Sequence, residues 1–139
     1  MTTPQTGGCL CGAVRYSVAA EPLMQVICHC KNCQRQSGSA WSMITGVPET
    51  AVTITGELTT YADHGDSGGG VLRQFCGTCG SPLFSRVASA PGTLFIKAGT
   101  LDDTTAFAPA VQIWTKSRQH WIEQAGDLAT VPAFDANPG

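Results

Sequence analysis

Seven cysteines in a chain of 139 residues constrain this sequence more than any other feature. They fall in three groups: Cys9 and Cys11 in "GGCLCGAVRY", Cys28, Cys30 and Cys33 in "CHCKNCQRQSGSA", and Cys76 and Cys79 in "FCGTCGSPLF". An odd number of cysteines leaves one thiol over if the rest pair as disulfides. The opening "MTTPQTGG" has neither a basic region nor an apolar core, so no secretory signal is expected. The apolar stretches are too short to span a bilayer, so no membrane partner is expected. The expected compartment is the cytoplasm, where thiols stay reduced. Metal binding is therefore the better reading of the cysteines than disulfides.

The spacings divide the thiols into two sites. "CGTCG" has the form of a zinc knuckle, in which a two-residue spacer lets both sulfurs face one ion. The C-x-C pair of Cys9 and Cys11 can converge at a chain reversal. Together the two pairs offer four sulfurs for one zinc ion in a closed tetrahedron, with bonds of about 2.3 Å. Such a site is structural, and metal binding is then coupled to folding. Cys28, Cys30 and Cys33 offer three thiolates from one turn, with no eighth cysteine to complete a second set of four. Three protein ligands and an open fourth position distinguish catalytic from structural zinc. Three thiolates around Zn²⁺ carry a formal charge of −1, against −2 for four, which makes the open site the better Lewis acid. An all-sulfur site selects zinc over magnesium or calcium. Two zinc ions per chain are expected, the second the more labile because a three-thiolate site is easily oxidised or emptied. His29 stands between two ligand cysteines, so its ring is expected to point away from the ion. His64 and His120 are expected at the surface.

Between the cysteines the chain reads as short strands. "AVRYSVAA" (13–20), "LMQVICH" (23–29), "AWSMITGV" (40–47), "AVTITGE" (51–57), "LTTYA" (58–62), "VLRQFC" (71–76), "PLFSRVA" (82–88), "TLFIKAG" (93–99) and "AVQIWT" (110–115) are β-branched or aromatic runs bounded by Gly, Pro and Asp. Only 30–37 reads as helix, for about two turns. "DHGDSGGG" (63–70) reads as a hairpin connection, since its glycines match no phosphate-binding fingerprint. The tail from Pro132 to Gly139 is expected to be loosely held. The prediction is a mainly β chain with small antiparallel sheets and at most one or two short helices, in one domain over 1–139 with its core about 7–134. Its length allows one buried core. A net charge of −2, with eight basic residues spread along the chain, argues against nucleic acid as a partner. Exposed strand edges allow a homodimer.

The three cysteine motifs, in this order and spacing, resemble the glutathione-dependent formaldehyde-activating enzyme family, also called centromere-protein-V-like. The similarity runs from about Gly7 to Phe134, and "QIWTKSRQHW" (112–121) is similar to the family's C-terminal segment, with Trp121 in place of its usual Trp. The resemblance implies an Mss4-like fold of small sheets around zinc sites. It implies structural zinc on Cys9, Cys11, Cys76 and Cys79, and a second zinc on Cys28, Cys30 and Cys33, near which glutathione docks. The activity implied is a carbon–sulfur lyase reaction, joining formaldehyde and glutathione as S-hydroxymethylglutathione. Glutathione brings two carboxylates, and Lys31, Arg35, Lys116 and Arg118 are the cations nearest to the second site or in the family-like segment. Trp41 and Trp114 read as core residues that could also line a pocket. The alternative function is a non-catalytic zinc- or thiol-binding module, or a protein-interaction module.

Overall fold

A computed structural model describes residues 4–64 and 69–127. Ten strands and one α-helix are found there: β1 (Gln5–Gly8), β2 (Arg15–Val18), β3 (Met24–Cys28), α1 (Lys31–Ser37), β4 (Ser42–Pro48), β5 (Val52–Thr55), β6 (Leu58–His64), β7 (Gly70–Cys76), β8 (Pro82–Val87), β9 (Thr93–Lys97) and β10 (Val111–Ile113). Short 3₁₀ turns fill several connections and the segment His120–Asp127. A three-stranded sheet has the order β1-β2-β5, and a seven-stranded sheet the order β10-β3-β4-β9-β8-β7-β6. Every pairing is antiparallel except that of β10 with β3.

The mainly β architecture with a single short helix is as the sequence predicts, although the larger sheet is wider than expected. All nine predicted strands form, most of them trimmed by the turn residues that flank them. β6 runs on to His64 and β7 begins at Gly70, with His64 paired to Gly70, as a hairpin requires. Residues 65–68 of that connection, and the tail from Pro132, lie outside the described residues.

β1 has no sequence signal, because "QTGG" is poor in strand-forming residues. Tertiary pairing holds it: Gly7 faces Tyr16 on β2. A Cβ on Gly7 would lie 2.3 Å from the Tyr16 hydroxyl oxygen. The glycine therefore lets the tyrosine ring cross the strand and reach Thr100 Oγ1 at 2.8 Å.

The main core joins the two sheets. Val14, Tyr16 and Val18 pack against Val47, Leu83, Phe84, Leu94 and Ile96. Tyr16 meets Phe84 edge-on, with ring centres 5.2 Å apart. Leu83, Phe84, Leu94 and Ile96 are fully buried, and each such side chain is worth about 1.5–3 kcal/mol. Cys9 and Cys76 belong to this core. A second, smaller cluster holds Cys28, Cys30 and Cys33 under Ile44 and Trp114.

Candidate metal centres

The fold gathers the cysteines into the two sets that the spacings predict. The sulfurs of Cys9, Cys11, Cys76 and Cys79 lie within 4.8 Å of one another, as do those of Cys28, Cys30 and Cys33. The Sγ–Sγ separations are 3.6 Å for Cys9–Cys11, 3.8 Å for Cys11–Cys76 and 3.4 Å for Cys28–Cys33. A tetrahedron of sulfurs around zinc has edges of about 3.8 Å. Both donor sets therefore fit a tetrahedral, thiophilic metal ion.

The first set sits where two chain reversals meet, one between β1 and β2 and one between β7 and β8. Backbone N–H groups point at the sulfurs: Val14 donates to Cys9 at 3.2 Å, and Thr78 and Cys79 donate to Cys76 at 3.4 and 3.5 Å. Gly80 supplies the left-handed residue, φ +80°, that closes the "CGTCG" turn, and its N–H bonds the Cys76 carbonyl at 2.8 Å. The Ser81 hydroxyl holds the Cys79 thiol down at about 5. Cys11 is pulled down by the Ala13 amide but pushed up more strongly by its neighbouring sulfurs, Cys9 foremost, to about 11.

The second set is assembled by the end of β3 and the start of α1. Cys30 caps the helix, its sulfur accepting from the Cys33 N–H at 3.2 Å. All three cysteines are buried. Hydrogen bonds with Cys28 and Cys30 hold the Cys33 thiol down at about 3, helped by the positive charges of Lys97 and Arg73. The same sulfur contacts, with Cys30 first and then Cys33, push Cys28 up. No fourth Cys, His, Asp or Glu joins the set among the described residues.

His29 is fully buried and turned elsewhere, as expected. Its Nε2 meets Gln112 Oε1 at 2.8 Å, and its ring stands edge-on to Trp41 at 5.9 Å. The backbone N–H of His29 also donates to the Ile113 carbonyl at 3.0 Å, which locks β10 beside the thiol turn. The buried Gln34 completes this wall. Its amide donates to the carbonyls of His29 and Ser117, at 2.8 and 3.0 Å, and its Oε1 accepts from Gln119 at 3.0 Å. His64 and His120 are exposed.

The four candidate carboxylate-binding cations do not converge on one point. Lys31 and Arg35 line an open cleft with Gln34, Gly38, Gln119 and Trp121. Lys116 lies over the ring of Trp114, 5.2 Å from its centre. Arg118 is paired with Glu123 at 2.5 Å. Trp114 is half-buried against the three-thiol cluster, and it is the one non-glycine residue with positive φ, +56°, among the described residues. That conformation is costly for a bulky side chain and persists only where the surroundings impose it.

Two further cations escape a reading of motifs. Arg73 on β7 and Lys97 on β9 are 5% and 7% exposed. Arg73 pairs with Asp63 at 2.8 Å, and burial, which lowers its pKa, is outweighed by Asp63 and by the Cys33 sulfur. Asn32 supports Asp63 at 3.1 Å. Lys97 Nζ donates to the buried Ser42 hydroxyl at 2.5 Å. The available signal was a basic residue inside an apolar strand, in "VLRQFC" and "LFIKAG", where burial demands a counter-charge.

Comparison with known proteins agrees with this geometry. A crystal structure of a Rhodobacter sphaeroides protein shares the fold, with a TM-score of 0.60 and 22% identity, over 77% of this chain and 98% of that one. Residues 4–117 match the model of the glutathione-dependent formaldehyde-activating enzyme family, a stretch that holds all seven cysteines and stops before Arg118 and Trp121. The chain belongs to the glutathione-dependent formaldehyde-activating enzyme family.

Proposed function

We propose that this protein is a zinc-dependent carbon–sulfur lyase-type enzyme that forms or breaks the adduct of formaldehyde with glutathione, or with another small thiol. The observation that carries this reading is the unequal ligand count of the two clusters. Four sulfurs close one site, whereas three buried sulfurs leave the other with a free position. A bracing metal in the second site would call for a fourth protein ligand, and among the described residues no histidine nitrogen, that of His29 included, joins the three sulfurs.

In this reading Cys9, Cys11, Cys76 and Cys79 hold a structural zinc, and Cys28, Cys30 and Cys33 hold the second. Bound there, zinc would lower the pKa of an incoming thiol and act as a Lewis acid toward the carbonyl oxygen. The chain's own residues shape the rest. Ile44 and Trp114 exclude water from the sulfurs. Lys31 and Arg35, on the exposed face of α1, receive one carboxylate of glutathione. Lys116, beside Trp114, is placed for the other; Arg118 serves only if it leaves Glu123.

The whole chain would act as one domain, in the cytoplasm, on a small-molecule thiol, with strand edges free for a homodimer. No helix is long and apolar enough to cross a membrane among the described residues. Exchange NMR on a glutathione–formaldehyde mixture tests the reading. Zinc-loaded wild type should speed interconversion and Cys30→Ser should not. A loaded wild type without effect would leave the binding-module alternative.

A further inference from the structure

Lys97 occupies an unusual position for a lysine. It ends β9, is paired across the sheet with Ile44, and is almost entirely buried. Ile44 itself packs on the three-thiol cluster. Ser42, the anchor of the ammonium group, is paired with Cys28. No carboxylate forms an ion pair with Lys97 among the described residues. Burial foremost draws its pKa down, and the nearby sulfurs, Cys33 first, work against that. Arg73, the other buried cation, is already matched by Asp63.

A buried ammonium is costly unless its charge is met. The Ser42 hydroxyl satisfies a hydrogen bond but supplies no charge. The formal count at the site is then informative. Three thiolates and a divalent ion sum to −1, and Lys97 brings the total to zero. A fourth thiolate takes it to −1 with the lysine and to −2 without it. A neutral fourth ligand leaves the count unchanged.

We propose that Lys97 sets the ligand specificity of the Cys28–Cys30–Cys33 centre, acting as the resident counter-cation that admits an anionic sulfur ligand at the open position in preference to a neutral one. This rests on the metal-centre reading above. Lys97 is a positioning residue here, working through the field that it places on the centre, and Ser42 aims it.

Cobalt(II) reports the ligand set through its visible and sulfur-to-metal charge-transfer bands. The closed four-sulfur cluster contributes a constant background. Protein loaded with cobalt at both sites is titrated with glutathione and, separately, with imidazole as the neutral ligand. In Lys97→Met the dissociation constant for glutathione should rise about tenfold or more, as expected for loss of a unit charge in a partly desolvated site. The constant for imidazole should hold, and Lys97→Arg should recover most of the thiol affinity. Equal weakening of both ligands, or of neither, with two cobalt ions bound, overturns the proposal alone. A wild-type chain that binds no second cobalt overturns the underlying metal-centre reading as well. If Lys97→Met does not fold, Ser42→Ala keeps the charge and frees it from its anchor. Thiol affinity should then fall selectively by a smaller factor, and an unchanged ratio of thiol to imidazole affinity overturns the proposal.

Discussion

His29 Nε2 lies 2.8 Å from Gln112 Oε1, while Nδ1, the other ring nitrogen, is buried without a hydrogen-bond partner among the described residues. The Gln112 contact ties the residue between Cys28 and Cys30 to β10, 83 positions later, while the ring stays out of the three-sulfur set. Gln112→Ala should destabilise the protein by about 1–3 kcal/mol, because it strands a buried imidazole N–H. The zinc content should not change. Urea unfolding and metal analysis on the same sample check both. A variant that loses one zinc at unaltered stability would make His29 part of the metal site.

The Arg73–Asp63 pair is mostly buried, with side-chain exposures of 6% and 20%. Replacing one member leaves the other charge without its partner, which is worse than never having had the pair. Asp63→Ala should cost about 3 kcal/mol. The double variant Asp63→Ala, Arg73→Met should recover part of it. Denaturant midpoints for the three proteins measure this, and a double variant no more stable than the single one would count against it.

Acid should weaken the bond between β2 and the loop after β9. Hydrogen bonds from Arg15, and then from Thr6, hold the Asp102 carboxyl down at about 2. A depressed folded-state pKa contributes stability above the unfolded value, about 3.9, and that contribution is lost as pH falls toward 2. Wild type should therefore be more stable than Asp102→Asn at pH 5, with the gap closing between about pH 4 and pH 2. Loss of metal in acid is common to both proteins and cancels in the difference. Parallel stability curves down to pH 2 would refute the assignment.

Gly7 and Gly99 separate close approach from mere flexibility. A methyl group at Gly7 would collide with the Tyr16 hydroxyl and the Thr100 carbonyl, whereas nothing lies within 4 Å of one at Gly99. Gly7→Ala should cost about 1–3 kcal/mol through overpacking, and Gly99→Ala should be near neutral. Thermal unfolding of the two variants gives the comparison directly.

Much of this architecture was legible in the residues. Strands such as "VLRQFC" carry their signal locally, in β-branched and aromatic side chains between turn formers. The metal sites were legible because thiols at two-residue spacing have few other uses together. β1 was not legible, since "QTGG" is a strand only because Tyr16 and Thr100 lie across it. Nor was the parallel seat of β10, which depends on His29, Gln34 and Gln112 meeting from distant parts of the chain. Arg73 and Lys97 were missed for a related reason. Their partners, Asp63 and Ser42, lie 10 and 55 positions away, and only the folded sheet brings each pair together.

The division of the cysteines into a closed site and an open one carries the whole account. Native mass spectrometry of Cys30→Ser beside Cys76→Ser tests it most directly, by counting zinc ions on folded chains. The account predicts a folded Cys30→Ser protein with one zinc, and a Cys76→Ser protein that is unfolded or severely destabilised. A Cys30→Ser chain that unfolds as fully as Cys76→Ser, or that keeps two zinc ions, would contradict it.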